Sequence, residues 1–445
     1  MRIGSPVATA AGAALVVLST LAPAAAQAPA RPGAPPQVVG RVITMDEAVA
    51  ISLENQPQIA ARLGDYAAAR FRVDQALAPL LPQLTGSWTA ARAQNVSAGT
   101  TAAGIDVGTR TRTFWTDTTV ARVSLSQLLF DFGKTLAGTE AQRKLADVAA
   151  EDVELQRQLL ALAVKEAYTN ILFAQRLIRV SEQAVQRAEL NLKSARGFFE
   201  VGTRPRSDVA RAEVDVANAR VDLIRARNAE RLARVALNTA LGIEADTPTQ
   251  VQDNLVREPI TIDRMAVRAE ALDKRPEHRQ ARLRVAVAEA TERQTFRNFF
   301  PDITAGGTYG AARADMNEIW ELNLALTWTL FDGGGRIARW REAKANLDAA
   351  VARVKASELD ITREVEQAVY SVLEAEERID AAQVAVNSAQ ENFRLAQGRF
   401  DAGVGTILEL TDAQLALTVA QNQETQALAD YRIALYRLDR ARGRR

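Results

Sequence analysis

The sequence of 445 residues lacks cysteine entirely and contains a single histidine, His278. The absence of cysteine excludes disulfides, thiolate metal sites and anchorage through an acylated cysteine. One histidine excludes a histidine-rich metal cluster, and we interpret His278 as a solvated helix residue. Neither charge is in excess, with 55 basic and 54 acidic side chains, which argues against a nucleic-acid partner held by a basic face. We therefore expect no metal, no other cofactor and no bound nucleic acid.

Recognisable catalytic groups are absent as well. The sequence has no Ser-His-Asp or Cys-His arrangement and no acid–base pair that it would place in a cleft. Asp131-Phe132-Gly133 matches the magnesium motif of kinases, but neither a catalytic loop nor a glycine-rich phosphate loop accompanies it. We interpret the motif as a chance match and predict that the protein is not an enzyme.

Long apolar runs are confined to the N-terminus. An apolar stretch over residues 7–21 is followed by Ala24-Ala25-Ala26, an order that is typical of a secretory signal. We assign the signal peptide to residues 1–26; a membrane-spanning helix is the alternative, but the stretch is short for one. Residues 27–43 form a proline-rich linker. No later stretch reaches the ~18 apolar residues that a membrane-spanning helix needs.

The abundant feature of the sequence is internal similarity. Residues 124–242 align with residues 325–443 at a constant offset of 201 and without a gap. Upstream, the alignment resumes at an offset of 219, which places Pro57 on Pro276. The halves therefore differ by an insertion of 18 residues, which lies between about residues 83 and 129.

This similarity predicts the domain organisation. We expect a first repeat over residues 44–242, an equatorial linker over 243–262 and a second repeat over 263–443. Each repeat would hold helices, a β-hairpin (about 83–130 and about 302–331) and a long helical hairpin. Structural units that are repeated side by side form a curved wall, which can enclose a channel.

Heptad spacing predicts that the helices lie side by side. The apolar residues at this spacing are Val164, Ile171, Ile178, Val185, Leu192 and Phe199 in the first repeat and Val365, Val372, Ile379, Val386, Phe393 and Phe400 in the second. Such a repeat predicts left-handed supercoiling. Helices over about 134–198 and 205–241 would be ~97 Å and ~55 Å long, and another over 276–299 would add ~36 Å. One long helix thus matches two shorter ones laid end to end.

Alternation of apolar and polar residues predicts β-strands. Residues 320–330 alternate without an exception, and the run from Ile303 to Ala311 is predicted to pair with them. A soluble, half-buried hairpin shows the same alternation, but its combination with an export signal favours membrane strands. Four tryptophans in these segments are typical of an aromatic girdle in outer-membrane lipid: Trp88, Trp115, Trp320 and Trp328.

The number of strands in one chain predicts self-association. Four strands cannot close, and open edges in hydrocarbon leave unpaired backbone groups at a cost of several kcal/mol each. Two copies would give eight strands with an interior filled by side chains, whereas three give twelve strands and leave a lumen. The sequence therefore predicts a homotrimer.

With both repeats, with Leu-Phe-Asp-Phe-Gly and Leu-Phe-Asp-Gly-Gly (residues 129–133 and 330–334) at the strand-to-helix joints, and with similar helical turns at 201–203 and 402–404, the chain resembles the TolC-type outer-membrane channel family. The resemblance spans nearly all of residues 44–443. It implies an α+β membrane protein: a trimeric, twelve-stranded β-barrel that continues into a long, antiparallel α-helical barrel. It also implies two kinds of partner, a periplasmic adaptor and an inner-membrane pump of the resistance-nodulation-division, ATP-binding-cassette or major-facilitator type.

The resemblance also implies roles for residues at the helical tips. Gly202, Thr203, Gly403 and Thr406 fall where the tips of the family meet the adaptor, and Glu409 and Asp412 fall on acidic rings at the periplasmic entrance. The purely structural interpretation is that the two acids complement the positive charge at a helix N-terminus. This role and a role at the pore entrance are compatible. Asp208 falls on an acid that latches the closed gate. Its usual partners are replaced by Phe400 and Gly405, so Arg204 or Arg206 is the candidate to substitute for them.

The expected function is an export duct of a tripartite efflux or type I secretion system. It would lie in the cell outer membrane with its helical part in the periplasm, and an adaptor would open its tips. The alternative is a periplasmic coiled-coil adaptor or scaffold protein, which also carries long helical hairpins but does not duplicate strand-plus-helix units.

Overall fold

The structure is a computed structural model that describes residues 41–99, 110–312 and 317–445. The predicted signal peptide and most of the predicted linker lie outside these ranges. The helices are α1 (Met45–Asn55), α2 (Pro57–Leu77), α3 (Lys134–Glu200), α4 (Arg206–Leu241), α5 (Arg264–Lys274), α6 (Pro276–Arg297), α7 (Gly335–Asp401) and α8 (Ile407–Ala441). The strands are β1 (Val42–Ile43), β2 (Gln83–Gly99), β3 (Arg110–Phe130), β4 (Gln250–Val251), β5 (Asp302–Ala312) and β6 (Asn317–Thr327). Within the described ranges, no helix is both long and apolar enough to cross a bilayer.

Two long helices organise the molecule. Helices α3 and α7 have 67 residues each, and they begin 201 residues apart, at Lys134 and Gly335. Helices α2 and α4 pack along α3, whereas α6 and α8 pack along both α3 and α7. The prediction that one long helix matches two shorter ones is confirmed. The predicted bounds hold to within two residues, because proline at the first helical position fixes the beginnings of α2 and α6.

Glycines in the left-handed conformation form the joints between the stacked short helices. Gly242 follows α4 with a φ of 73°, and a Cβ atom there would lie 3.2 Å from the backbone of Asn55 and of Gln56. Gly443 follows α8 with a φ of 80°, and its Cβ would lie 2.9 Å from the carbonyl carbon of Lys274. Only glycine fits both the conformation and the close approach. The end of each lower helix therefore lies directly against the residues that precede the next upper helix.

The core consists of many of the predicted heptad positions and of a collar at mid-height, but the prediction was wrong for Phe199, which is 43% exposed near the end of α3. Val164 and Ile171 in α3 are fully buried, as is Val372 in α7. In the collar, short parallel strands β1 and β4 pair beside the hydroxyl of Tyr168, which lies 2.9 Å from the carbonyl oxygen of Ile43. Thr44 and Glu47 form a capping box at the beginning of α1. These contacts connect the chain ahead of the first repeat to the long helix.

Strands β2, β3, β5 and β6 form an antiparallel sheet in that order, so β2 and β6 are its edges. The predicted strand over 320–330 was misplaced, since β6 begins at Asn317 and ends at Thr327. The partner of Thr327 is Asp302, the first residue of β5. Pro301 precedes it and has no N–H to continue the ladder. Residues 315 and 316 of the predicted loop lie outside the described residues.

The interpretation of His278 as a solvated residue was wrong. His278 is only 1% exposed in α6. Because α6 packs against both α3 and α7, two of its faces are buried, and a pattern that marks a single face does not identify such a position. Burial, and secondly the charge of Arg282, lower the pKa of His278 below its ordinary value.

Candidate functional site

The sheet has one apolar and one polar face, which follow from its register. Gly86, Val123, Tyr309 and Trp320 form one cross-strand row, so their side-chain positions lie on the same face. We call this the apolar face. It carries Leu84, Trp88, Leu125, Ile303, Leu322, Leu324 and Leu326. The opposite, polar face carries Thr85, Ser87, Arg122, Ser124, Ser126, Thr304, Thr308, Glu321 and Asn323. Leu322 is 81% exposed, so the apolar side chains have no cover in a single chain.

The four tryptophans of the proposed girdle lie at different heights along the sheet. Trp88 lies two residues from the row that contains Tyr309 and Trp320, so these three aromatic rings share a level. Trp328 follows β6, eight residues from Trp320, which corresponds to ~26 Å at ~3.3 Å per residue. Its indole N–H donates to the carbonyl oxygen of Phe299 (3.0 Å). In a strand tilted by about 40°, this length spans a height of ~20 Å, which fits within the ~25 Å apolar band of an outer-membrane barrel.

Trp115 lies outside that stretch, on the side away from the helices. It is eight residues from Val123 along β3 and on the same face. Arg92 and Asp117, which form an ion pair of 3.1 Å, lie between it and the aromatic row. The guanidinium of Arg92 lies 5.4 Å from the ring centre of Trp115. Trp115 therefore belongs to a charged region beyond the apolar stretch.

The motif at residues 131–133 has a structural explanation. The Asp131 carboxylate accepts hydrogen bonds from the backbone N–H groups of Gly133 (2.9 Å) and Thr135 (2.7 Å) at the beginning of α3. Burial alone would raise the pKa of Asp131, but these hydrogen bonds outweigh it and lower the pKa below its ordinary value. Asp332 accepts from the N–H of Arg336 (2.9 Å) at the beginning of α7. The aspartate of the repeated Phe-Asp pair therefore stabilises the N-terminus of each long helix by accepting hydrogen bonds from backbone N–H groups there.

The tips of the two helical hairpins, α3–α4 and α7–α8, are tight turns. Gly202 and Gly403 are left-handed, with φ values of 74° and 79°, and open space surrounds both. The Thr203 hydroxyl donates to the carbonyl oxygen of Phe198 (2.9 Å). The Thr406 hydroxyl accepts from the N–H of Glu409 (3.2 Å) and caps α8. All four residues that the sequence assigned to adaptor contact are exposed.

Arg204 connects the two tips, an arrangement that only the structure reveals. Its guanidinium donates to the carbonyl oxygen of Gly405, lies 4.9 Å from the ring centre of Phe400 and has a nitrogen 3.9 Å from Asp208. Phe400 is fully buried and packs edge-on against Phe198. Of the three latch candidates, Arg204 and Asp208 are therefore brought together. Arg206 is exposed and forms no ion pair with any residue that the structure describes.

Glu409 and Asp412 lie near the beginning of α8. A carboxylate oxygen of Glu409 is 3.7 Å from the guanidinium of Arg399, and its side chain is half exposed. Asp412 is exposed, and no ion pair to it occurs within the described ranges. In a single chain the two acids face solvent, so any enclosure of them requires further copies.

The helices form one layer with two open edges. The lateral order is α2–α3–α6–α7 near the sheet and α4–α3–α8–α7 near the tips. Helices α2 and α4 thus lie on the same side as edge strand β2, and α7 lies on the side of edge strand β6. Exposed apolar residues occur along both edge helices, namely Val214, Val221, Ile224, Leu232 and Val235 in α4 and Val351, Leu359, Tyr370, Val384 and Leu395 in α7.

Comparisons with known proteins define the class. A family model described as outer membrane efflux protein matches residues 49–243 and 267–444. The chain belongs to the outer membrane efflux protein family.

Individual relatives agree with this assignment. The chain is 27% identical over 401 residues to the alkaline protease secretion protein AprF of Pseudomonas aeruginosa, covering 87% of this chain and 82% of AprF. It is 25% identical over 381 residues to the outer membrane efflux protein BepC of Brucella suis, covering 82% and 77%. The crystal structure of a membrane protein from Pseudomonas aeruginosa matches with a TM-score of 0.77 at 24% identity, over 90% of each chain.

The protein is therefore an export channel of the outer membrane, with its helical part in the periplasm. The predicted resemblance, function and location are confirmed, and the alternative of a periplasmic adaptor was wrong. The family consists of channels rather than enzymes.

Proposed function

We propose that three copies of the chain assemble into a single export duct of a tripartite efflux or type I secretion system. The observation that carries this proposal is the four-stranded sheet, which has a bare apolar face and two unpaired edges, β2 and β6. Each copy contributes four strands to a twelve-stranded barrel in the outer membrane. The helical layers continue the barrel as an α-helical tunnel through the periplasm.

The energetics of the sheet favour closure. An edge strand in hydrocarbon leaves backbone N–H and C=O groups unpaired at several kcal/mol each. Pairing β6 of one copy with β2 of the next removes every edge after a full circle. Eight strands from two copies would enclose only side chains, whereas twelve from three copies leave a water-filled lumen. The polar face, with its serines and threonines, then lines that lumen.

The edges of the helical layer support the same assembly. The exposed apolar residues of α4 and α7 lie on helices at opposite edges, so the α7 edge of one copy can pack against the α4 edge of the next. Each copy provides two units, residues 44–242 and 263–443, joined by residues 243–262. In the mature protein, residues 1–26 have been removed, and residues 27–43 link the N-terminus to the first unit.

The levels of the tryptophans along the sheet support a position of this sheet within the membrane. The aromatic rings at Trp88 and Trp320 form the outer girdle, and Trp328 forms the inner one. The leucines of β6 face lipid between them. Trp115 then lies beyond the hydrocarbon, where Arg92 and Asp117 are solvated.

The contacts of Arg204 support a closed gate. By binding Gly405 and Phe400, Arg204 fastens the first hairpin to the second at the narrow end of the tunnel, and Asp208 holds Arg204 from within its own hairpin. A periplasmic adaptor docks on the exposed turns at Gly202, Thr203, Gly403 and Thr406 and releases this contact. Three copies bring Glu409 and Asp412 into acidic rings at the entrance, and an inner-membrane pump of the resistance-nodulation-division, ATP-binding-cassette or major-facilitator type supplies the cargo.

The assembly is tested with full-length protein purified in detergent. Native mass spectrometry is expected to give a mass of three chains, and planar bilayers are expected to show ion conductance. A further test extracts isolated outer membranes with alkaline carbonate, which leaves a closed barrel in the membrane pellet. A stable monomer without conductance would refute the proposal.

A further inference from the structure

The polar face of the sheet carries few charges. Among strand residues whose side chains the structure describes, only Arg122, Asp302 and Glu321 are charged on this face. Asp302 is neutralised by Lys134, whose ammonium nitrogen lies 2.6 Å from one carboxylate oxygen and 2.7 Å from the other. Arg122 and Glu321 form no ion pair with any described residue. Among the described side chains of this face, two charges of opposite sign therefore remain uncompensated.

Both charges lie near one level of the sheet, in the two rows on either side of the row that contains Val123 and Trp320. Arg122 is adjacent to Val123 in β3, and Glu321 is adjacent to Trp320 in β6. Val123 and Trp320 belong to the same cross-strand row, which also contains Tyr309. Because alternate residues point to opposite faces, Arg122 and Glu321 lie behind the outer aromatic row.

Strand β5, which separates the two charges, has glycines on the polar face at this level. A Cβ atom at Gly310 would lie 2.9 Å from the Cβ of Arg122, and one at Gly306 would lie 2.3 Å from the amide oxygen of Asn323. These positions exclude side chains of their own, which leaves room for the side chains of the neighbouring strands. On the row of Glu321, strands β3 and β5 contribute only the hydroxyls of Ser124 and Thr308, which lie 3.3 Å apart.

We propose that Arg122 and Glu321 form a belt of balanced charge inside the barrel, in which each sign offsets the other and the outer end stays open to solutes of both signs. The inference rests on the proposed trimeric barrel, in which three arginines and three glutamates alternate around the lumen. A unit charge about 8 Å from a permeating ion in water changes the energy of that ion by about RT, which corresponds to roughly a twofold effect. Removal of one of the two charges therefore shifts the preference between cations and anions independently of the acidic tips.

The test measures the ratio of potassium to chloride permeability in planar bilayers under a gradient of dilute potassium chloride. Arg122→Gln is expected to raise the ratio about twofold or more, and Glu321→Gln is expected to lower it by a similar factor. Both effects should shrink in ~1 M salt, where the Debye length is only ~3 Å. Arg92→Gln is the control, because it makes the same change on the apolar face, five residues further from the helices than Ser87, the partner of Arg122. Equal shifts in Arg92→Gln and Arg122→Gln would overturn the assignment to the lumen.

A second measurement separates failure of the belt from failure of the duct. The chain has no cysteine, so Ser124→Cys and Leu125→Cys each introduce a unique thiol, one on each face of the sheet. A charged, membrane-impermeant thiol reagent is expected to lower the conductance of Ser124→Cys only. If that block occurs while both charge variants keep the wild-type permeability ratio, the belt is refuted and the duct stands. If neither thiol reacts and no conductance appears, the proposed duct is refuted as well.

Discussion

The guanidinium of Arg204 lies 4.9 Å from the ring centre of Phe400, and the two residues belong to different helical hairpins. Phe400 is fully buried, so its ring is held in place against the guanidinium of Arg204. The same guanidinium donates to the carbonyl oxygen of Gly405 in the turn of the second hairpin. One side chain thus provides three interactions at the tips, of which the one with Asp208 lies within its own hairpin.

We expect Arg204→Gln to loosen the tips and to raise conductance in the absence of an adaptor. The substitution removes a cation–π contact, worth ~0.5–2 kcal/mol, and a charged hydrogen bond, worth ~1.5–3 kcal/mol. Arg206→Gln is the matched control, because Arg206 is exposed and two residues away. Single-channel recordings in planar bilayers measure the difference. Equal conductance in the two variants would show that Arg204 is not the latch.

The acids near the beginning of α8 are expected to favour cations at the entrance. Glu409→Ala with Asp412→Ala should lower the ratio of cation to anion permeability in bilayers. Asp412→Ala alone should act more strongly than Glu409→Ala alone, because Arg399 lies 3.7 Å from Glu409 and partly neutralises it. Glu289→Ala, which removes an exposed acid in α6, serves as the control. Unchanged selectivity in the double variant would exclude the acidic ring.

The two faces of β6 predict opposite tolerance for charge. Leu324→Arg places a guanidinium on the apolar face and is expected to cost ~2–4 kcal/mol in the membrane. Ala325→Arg makes the neighbouring change on the polar face and should be tolerated. Gel electrophoresis of outer membranes without boiling measures how much heat-sensitive oligomer each variant forms. Similar losses in both variants would contradict the assignment of faces.

Two left-handed glycines predict different costs for the same substitution. Gly242 and Gly202 have φ values of 73° and 74°, so alanine at either costs ~1–2 kcal/mol of conformational strain. Only Gly242→Ala also places a Cβ atom 3.2 Å from neighbouring backbone, which adds ~1–3 kcal/mol. Thermal unfolding in detergent at one scan rate should therefore give a lower midpoint for Gly242→Ala. A lower midpoint for Gly202→Ala would refute the tight joint.

The buried histidine predicts a dependence of stability on pH. Because the folded-state pKa of His278 is lowered, the unfolded chain binds the proton more readily, and stability falls as the pH decreases below ~6.5. The charge of Glu358 acts in the opposite direction but is the smaller effect. His278→Gln should remove up to ~1.4 kcal/mol per pH unit from the slope of unfolding free energy between pH 6.5 and pH 5. Identical slopes in wild type and variant would show that the histidine does not titrate there.

The sequence predicted the helices well because their boundaries are set locally. Pro57 and Pro276 begin α2 and α6, and heptads mark the faces that are buried between neighbours. The strand at 320–330 was less accurate, since its end depends on where β5 begins rather than on its own alternation. His278 was missed because α6 is buried on two faces, and the sequence does not state how many neighbours a helix has.

The gate was only partly predictable. A motif comparison identified Asp208 and offered Arg204 and Arg206 as substitutes, but it could not choose between them. The choice depends on the approach of two turns that are 201 residues apart in the chain. The sheet faces, by contrast, follow from alternation alone, and the register added the levels of the tryptophans.

The stacked arrangement of the helices makes the length of the molecule depend on six helices, two long and four short. Each 67-residue helix lies beside a shorter pair, of 36 and 21 residues in one half and 35 and 22 in the other. A deletion in only one of these helices would either strain the glycine joint between the stacked short helices or pull its two sides apart. Adjustment to a wider or narrower space between two membranes therefore demands coordinated changes of whole helical turns, which makes the span of this conduit slow to evolve.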